Sequence, residues 1–307
     1  MSAISALLWH WRVIPILVNA LAVIFKKPLD VGGPVGLSAT ANIFLGQVEA
    51  PLLVRPYLAT MSKNELLILM TVGMSTIAGS VMVIYTTMLA PIYGLGLIGH
   101  FLTASLISVP AGIMYANMMI PSDTKTDFPA DDSSKMYSST VDAITRGTQS
   151  GIDIFLNVAA MLIVVMALVY LVNAMLGIFP DIQGQPLTME RIVGWIFAPL
   201  AWCMGIPWQE SQAAGELLGV KTILNEFVAY IYLADTSTYV LSEKSSLIML
   251  YALCGFANFS SVGILLSGMS AMVPERRKDL IAVSLKALWG ALLASCMTGF
   301  IVGILYL

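Results

Sequence analysis

The sequence predicts an all-α polytopic membrane protein. It is built as two inverted structural repeats, each with a re-entrant helical hairpin followed by an unwound transmembrane helix. Three observations carry this expectation. First, apolar runs over residues 66–89, 98–120, 152–179, 247–273 and 280–307 reach or exceed the ~20 residues that span a bilayer. Second, hydrophobic residues make up 58 % of the chain and charged residues only 11 %, against about a quarter charged in soluble domains. Third, polar and helix-breaking residues interrupt apolar runs at matching places in the two halves, the pattern of a transporter site near the bilayer midplane.

Residues 1–35 read as the end of a transmembrane helix plus an interfacial helix. The first apolar stretch stops at Arg12, too short to span. Residues 13–25, closing on Lys26 and Lys27, fit a helix lying at the membrane surface. The start carries no basic region and no small-residue cleavage site of a signal peptide.

Residues 36–120 hold the first re-entrant hairpin and two transmembrane helices. Within 36–58, Asn42, Gln47, Glu49 and Arg55 lie in an apolar run broken by Gly46, Pro51 and Pro56. A carboxylate there must be partnered, neutralised or exposed to a water-filled cavity. A broken helix at membrane depth needs protein or water to meet its freed backbone groups. The segment therefore reads as a binding site inside a membrane. Ser62 followed by Glu65 is a capping box that starts the 66–89 helix, whose centre at 73–79 is weak in helix formers.

Residues 121–207 comprise a polar loop over 121–149, a scaffold transmembrane helix and an interfacial segment. Residues 208–307 repeat the earlier order with a second re-entrant hairpin and two transmembrane helices. Glu226 sits in the apolar stretch 219–230, Leu241-Ser-Glu-Lys-Ser245 launches the next helix, and its weak centre is 255–263. With the basic cluster at 276–278 placed in the cytoplasm, alternation puts twelve of the fifteen Lys and Arg inside. Only Arg191, Lys221 and Lys244 fall outside, in keeping with the positive-inside rule.

Several strings at these positions resemble the concentrative nucleoside transporter family. They are Ala41-Asn-Ile-Phe-Leu-Gly-Gln-Val-Glu-Ala-Pro51, Val54-Arg-Pro-Tyr57, Asn225-Glu-Phe-Val-Ala-Tyr230, Ala252-Leu-Cys-Gly-Phe-Ala-Asn-Phe-Ser-Ser-Val-Gly263 and Pro274-Glu-Arg-Arg277. The likeness covers nearly the whole chain and lacks the family's N-terminal helices. It implies cation-driven nucleoside import by a homotrimer, with a transport domain moving against a scaffold. Substrate contacts implied by the resemblance are Gly46, Gln47, Val48 and Glu49, with Val81, on the base side. Glu226, Asn258 and Ser261 match the sugar side, with Phe256 beside them. The family's sodium site corresponds to the side chains of Asn42 and Thr76 and to backbone carbonyls near Leu45 and Ile77. Val48 replaces a residue that is usually threonine, and Gly33-Pro-Val-Gly-Leu37 replaces the more usual Gly-Ala-Glu-Ser-Leu, so base preference is open.

The residues themselves suit this chemistry. Glu226 can accept from two vicinal sugar hydroxyls through charge-assisted bonds, and Asn258 and Ser261 both donate and accept. Their spacing of three suggests one helical face. Each has a plainer reading. Asn258 and Ser261 can act as polar glue between helices, Glu49 can pair with Arg55, and Thr76 can bond back to its own helix. Sodium is the expected coupling ion, with a proton on Glu49 or Glu226 as the alternative. Other readings are a proton-coupled carrier of a modified nucleoside or nucleobase, and an inactive truncated chain.

No cofactor is expected and no enzyme, because His-Glu-x-x-His, Gly-x-Ser-x-Gly and phosphate-cradling motifs are absent. Two broken repeats favour alternating access over a channel. Cys203, Cys254 and Cys296 lack any paired or metal-like spacing, the 19 methionines read as flexible packing, and His100 reads as a satisfied or pore-facing side chain. The expected partners are a nucleoside and the lipid bilayer, with no nucleic acid. The expected location is the plasma membrane, as a multi-pass protein of a bacterial inner membrane.

Overall fold

The computed structural model describes residues 2–13, 16, 31–94, 96–126, 137–182, 184 and 186–306, and all regular elements among them are helices. Helix α1 covers Ser2–His10. The interfacial helix expected over 13–25 lies largely outside the described residues.

The first hairpin begins with α2, Gly33–Ala41, which carries proline in its first turn, where a missing N–H costs nothing. Residues 42–48 are not helical. The chain then forms α3, Glu49–Leu52, and a 3-10 turn, Arg55–Tyr57. Helix α4, Lys63–Ser75, starts at the expected capping box. Ser62 Oγ accepts from Glu65 N at 3.2 Å, and Glu65 Oε2 accepts from Ser62 N at 2.8 Å. The same carboxylate accepts from Thr126 N and Oγ1 at 2.7 and 2.9 Å, which ties residue 126 to the hairpin's base. The helix breaks at Thr76 in extended backbone and resumes as α5, Gly79–Tyr93. Helix α6 is Leu97–Met119.

Helix α7, Thr140–Leu176, starts inside what reads in sequence as polar loop. Ser139 Oγ accepts from Asp142 N at 3.1 Å, and Asp142 pairs with Arg146 at 2.8 Å one turn on. Capping and an i,i+4 pair sustain a polar helical turn that hydropathy alone registers as loop. Helices α8, Met189–Cys203, and α9, Trp208–Ile223, meet at a bend of 119°. Small residues let their backbones touch, as in membrane packing. A Cβ on Gly215 would lie 2.7 Å from Ala198 N and clash with Gly194 O.

Helix α10, Glu226–Ala234, completes the second hairpin. Helices α11, Glu243–Ala252, and α12, Phe259–Met272, are the two halves of a broken helix, and α13, Arg277–Leu305, closes the chain. The order of hairpin, broken helix and long helix therefore occurs twice. Among the described residues Lys63–Tyr93, Leu97–Met119 and Pro274–Leu305 are each long and apolar enough to cross a membrane.

The two breaks meet. Phe256 N donates to Thr76 O at 3.3 Å, and a Cβ on Gly255 would stand 2.8 Å from Ser75 O, so only glycine admits this crossing. At the other end of the first hairpin, Arg276 donates to Ala59 O and Met61 O at 2.7 Å each and to Asp279 at 2.8 Å. This guanidinium fastens the hairpin's exit to the start of α13.

Candidate functional site

The chemistry of the second half converges on one carboxylate. Asn225 caps α10, accepting from Val228 N at 3.0 Å, and so sets Glu226 in the first turn. There the helix's positive end favours an anion. Glu226 is 5 % exposed. Its Oε1 accepts from Tyr85 OH at 2.7 Å and its Oε2 from Asn258 Nδ2 at 3.0 Å. Asn258 is the N-cap of α12, and its Oδ1 accepts from Ser261 N at 2.7 Å. The expected single helical face for Asn258 and Ser261 is thus a cap and its third helical residue, a different geometry with the same spacing. Two helix N-termini flank the acid.

Tyr85 is a site residue that sequence reasoning misses. It lies one helical turn beyond Val81 on α5, the spacing that puts both on one face, and that is the signal available for it. With Tyr85 and Asn258 bound, a carboxylate keeps lone pairs for two more donors. Tyr85→Phe removes one donor to a buried charge, a loss of about 1.5–3 kcal/mol. We expect substrate affinity to fall by roughly tenfold or more, as read by equilibrium binding to the purified variant.

In the first half, Glu49 Oε2 accepts from Gly46 N at 2.8 Å. This bond closes the hairpin tip, and the ion pairs among the described residues do not include one between Glu49 and Arg55. Gln47 is 8 % exposed and its Oε1 has no hydrogen-bond partner. Val48 is half-buried and packs on α12, where a Cβ on Gly268 would lie 2.6 Å from its Cγ1. Gly79 N donates to Phe44 O at 3.2 Å, joining the tip to α5. The hairpin tip thus touches α5, which carries Val81 and Tyr85, and α12, which Asn258 begins. Val81 and Phe256 are half-buried.

The expected cation donors are deeply buried. Asn42 is 2 % and Thr76 1 % exposed, with Leu45 and Ile77 buried beside them in sequence. Asn42 Nδ2 donates to Val72 O at 2.9 Å, which fixes the orientation of the amide, and its Oδ1 has no hydrogen-bond donor. Thr76 Oγ1 reaches both Asn42 O and Val72 O at 3.2 Å. The plainer reading of Thr76 therefore holds together with a tie to the hairpin. An orphan acceptor at this depth costs about 1–3 kcal/mol, and a hard monovalent cation fits it. Among the described residues no cluster of His, Cys, Asp and Glu could hold a metal ion. His100 Nδ1 lies 2.9 Å from Tyr251 OH, a satisfied histidine.

The family model for the C-terminal region of Na+ dependent nucleoside transporters matches residues 100–303, and one described as nucleoside recognition matches residues 1–92. The chain belongs to the concentrative nucleoside transporter family. It is 34 % identical to the nucleoside permease NupC of Helicobacter pylori over 308 residues, which is 99 % of this chain and 72 % of that protein. Its fold matches CNTnw in an inward-facing substrate-bound state with a TM-score of 0.89 at 35 % identity, covering 99 % of this chain and 72 % of that one. A CNTnw variant in an outward-facing state matches with a TM-score of 0.88 at 33 % identity, covering 99 % and 71 %. This concentrative nucleoside transporter relative shares their inverted-repeat architecture, in a fold for which both inward- and outward-facing states exist. It is a multi-pass membrane protein, and the relatives named here are transporters.

Proposed function

We propose that this chain is a secondary active symporter that imports nucleosides down a sodium gradient, by alternating access around a site near the bilayer midplane. In this reading it works as a homotrimer in the plasma membrane, the inner membrane of a bacterium. The observation that carries the proposal is the enclosed Glu226, held by Tyr85 and Asn258 with acceptor capacity left for two hydroxyls. A nucleoside presents two vicinal hydroxyls on its ribose. Ser261 completes the sugar side, and Gly46, Gln47, Val48, Glu49, Val81 and Phe256 line the base side. The unpartnered Gln47 Oε1 is suited to a donor on the base edge.

Sodium takes the orphan Asn42 Oδ1, with Thr76 and backbone carbonyls near Leu45 and Ile77. A continuous route connects the two ligands. Thr76 bonds the hairpin at Asn42 O and receives Phe256 N on its own carbonyl. Asn258 N then donates to Phe256 O at 2.8 Å, and Asn258 Nδ2 reaches Glu226. An ion that orders Asn42 and the first break therefore orders the second break and the carboxylate. Such coupling is reciprocal between the two ligands.

The test is calorimetric binding of uridine and 2′,3′-dideoxyuridine to purified protein in sodium buffer. We expect the dideoxy analogue to bind at least about a hundredfold more weakly, since it leaves two charge-assisted bonds unmade. Equal affinities would remove Glu226 from the sugar site.

A further inference from the structure

Lys221 is the largest feature of the molecule that the proposed cycle leaves unused. Positive-inside counting places it on the outer side, yet the structure buries it completely, on α9 and just before the break of the second hairpin. Lysine is almost never fully buried without a partner. Its Nζ donates to Ala252 O at 2.8 Å, the last carbonyl of α11.

A helix end leaves carbonyls without helical partners, and the last four carbonyls of α11 all find a donor. Met249 O accepts from Leu253 N at 2.8 Å, and Leu250 O accepts from Tyr230 OH at 2.8 Å. Tyr251 O accepts from Cys254 N at 3.0 Å and from Thr298 Oγ1 at 3.1 Å, and Ala252 O from Lys221. Lys221 and Tyr230 come from the two arms of the second hairpin. The first repeat uses the same device with a different group. Asn42 of the first hairpin donates to Val72 O near the end of α4, but an amide brings no charge and keeps its own oxygen free. Lys221 and Glu226 are both buried and lie either side of the break in the second hairpin, the ammonium reaching Ala252 O and the carboxylate Tyr85 and Asn258.

We propose that Lys221 is a tethered cation of the second repeat, which neutralises the carbonyl end of α11 and acts as counter-charge to Glu226. It is a positioning residue for the substrate-facing carboxylate, and only that last step rests on the proposed nucleoside site. The first break is left to a mobile ion, and the second carries its own.

The experiment compares thermal unfolding of the purified, detergent-solubilised wild type, Lys221→Gln, Glu226→Gln and the double variant, with uridine binding measured alongside. Lys221→Gln removes the charge and keeps an amide donor, one bond shorter than the ammonium. We expect it to lower Tm, and we expect Glu226→Gln added to it to restore part of that loss, because a stranded charge is removed. Uridine affinity should fall at least about thirtyfold in Lys221→Gln and should be largely retained in Lys221→Arg. A Lys221→Gln protein that melts and binds like wild type would overturn the proposal, since a hydrogen bond alone would then suffice. So would a double variant less stable than Lys221→Gln. The unfolding cycle reads the charge pairing without any nucleoside. Failure of the wild type to bind uridine would instead count against the substrate reading.

Discussion

Glu226→Gln is expected to lower nucleoside uptake by at least about a hundredfold while the protein still inserts in the membrane. Two effects combine. The carboxylate offers two charged acceptor atoms, and the amide only one neutral oxygen. Hydrogen bonds to a charged group contribute about 1.5–3 kcal/mol each, and in the proposed site two sugar hydroxyls depend on it. The amide must keep its oxygen on Asn258 Nδ2 and turn its NH2 to Tyr85 OH, which then accepts, so the sugar meets a donor where it now meets an acceptor. Asn258 cannot turn over to allow the opposite orientation, because its Oδ1 caps α12 through Ser261 N. The check is uptake of labelled uridine, normalised to the amount of protein in the membrane. Normal uptake would show that the carboxylate does not hold the sugar.

The second large effect is expected at Asn42. Asn42→Ala removes the orphan oxygen that suits the ion and also the amide bond to Val72 O. The tie from Thr76 Oγ1 to the backbone carbonyls of residues 42 and 72 survives the change, so the loss is confined to the side-chain amide. Nucleoside binding should then lose its dependence on sodium, and the affinity remaining should match that of the wild type without sodium. Reciprocity makes this a two-sided test, since uridine should no longer tighten sodium binding in the variant. Titration of binding affinity against sodium concentration, at constant ionic strength, supplies the measurement. A sodium response in Asn42→Ala equal to that of wild type would move the ion elsewhere.

The fold was legible where one segment contains its own cause. Glu49, Gly46 and Pro51 mark the first hairpin within ten residues, and Ser62 with Glu65 announces α4 through a bond between neighbours. The breaks at Thr76 and after Ala252 fall beside weak helix formers. What the sequence hides depends on distant partners. Tyr85 meets Glu226 across 141 positions, Arg276 reaches Met61 O across 215, and the burial of Lys221 follows from the end of α11, 31 positions on. Local ambiguity accounts for the rest. The three-residue interval between Asn258 and Ser261 fits a helical face and a cap equally well. The first turns of α7 are polar enough to pass for loop until the Ser139 cap is seen.

In the proposed cycle a sodium site at Asn42 and a nucleoside site at Glu226 are joined through the crossing of the two helix breaks. Uridine accumulation in proteoliposomes, under an imposed inward sodium gradient and separately under an inward proton gradient, tests it most directly. The expected result is concentrative uptake with sodium alone, at a rate that Glu226→Gln and Asn42→Ala each suppress. Accumulation driven by protons alone, or uptake indifferent to both gradients, would contradict it.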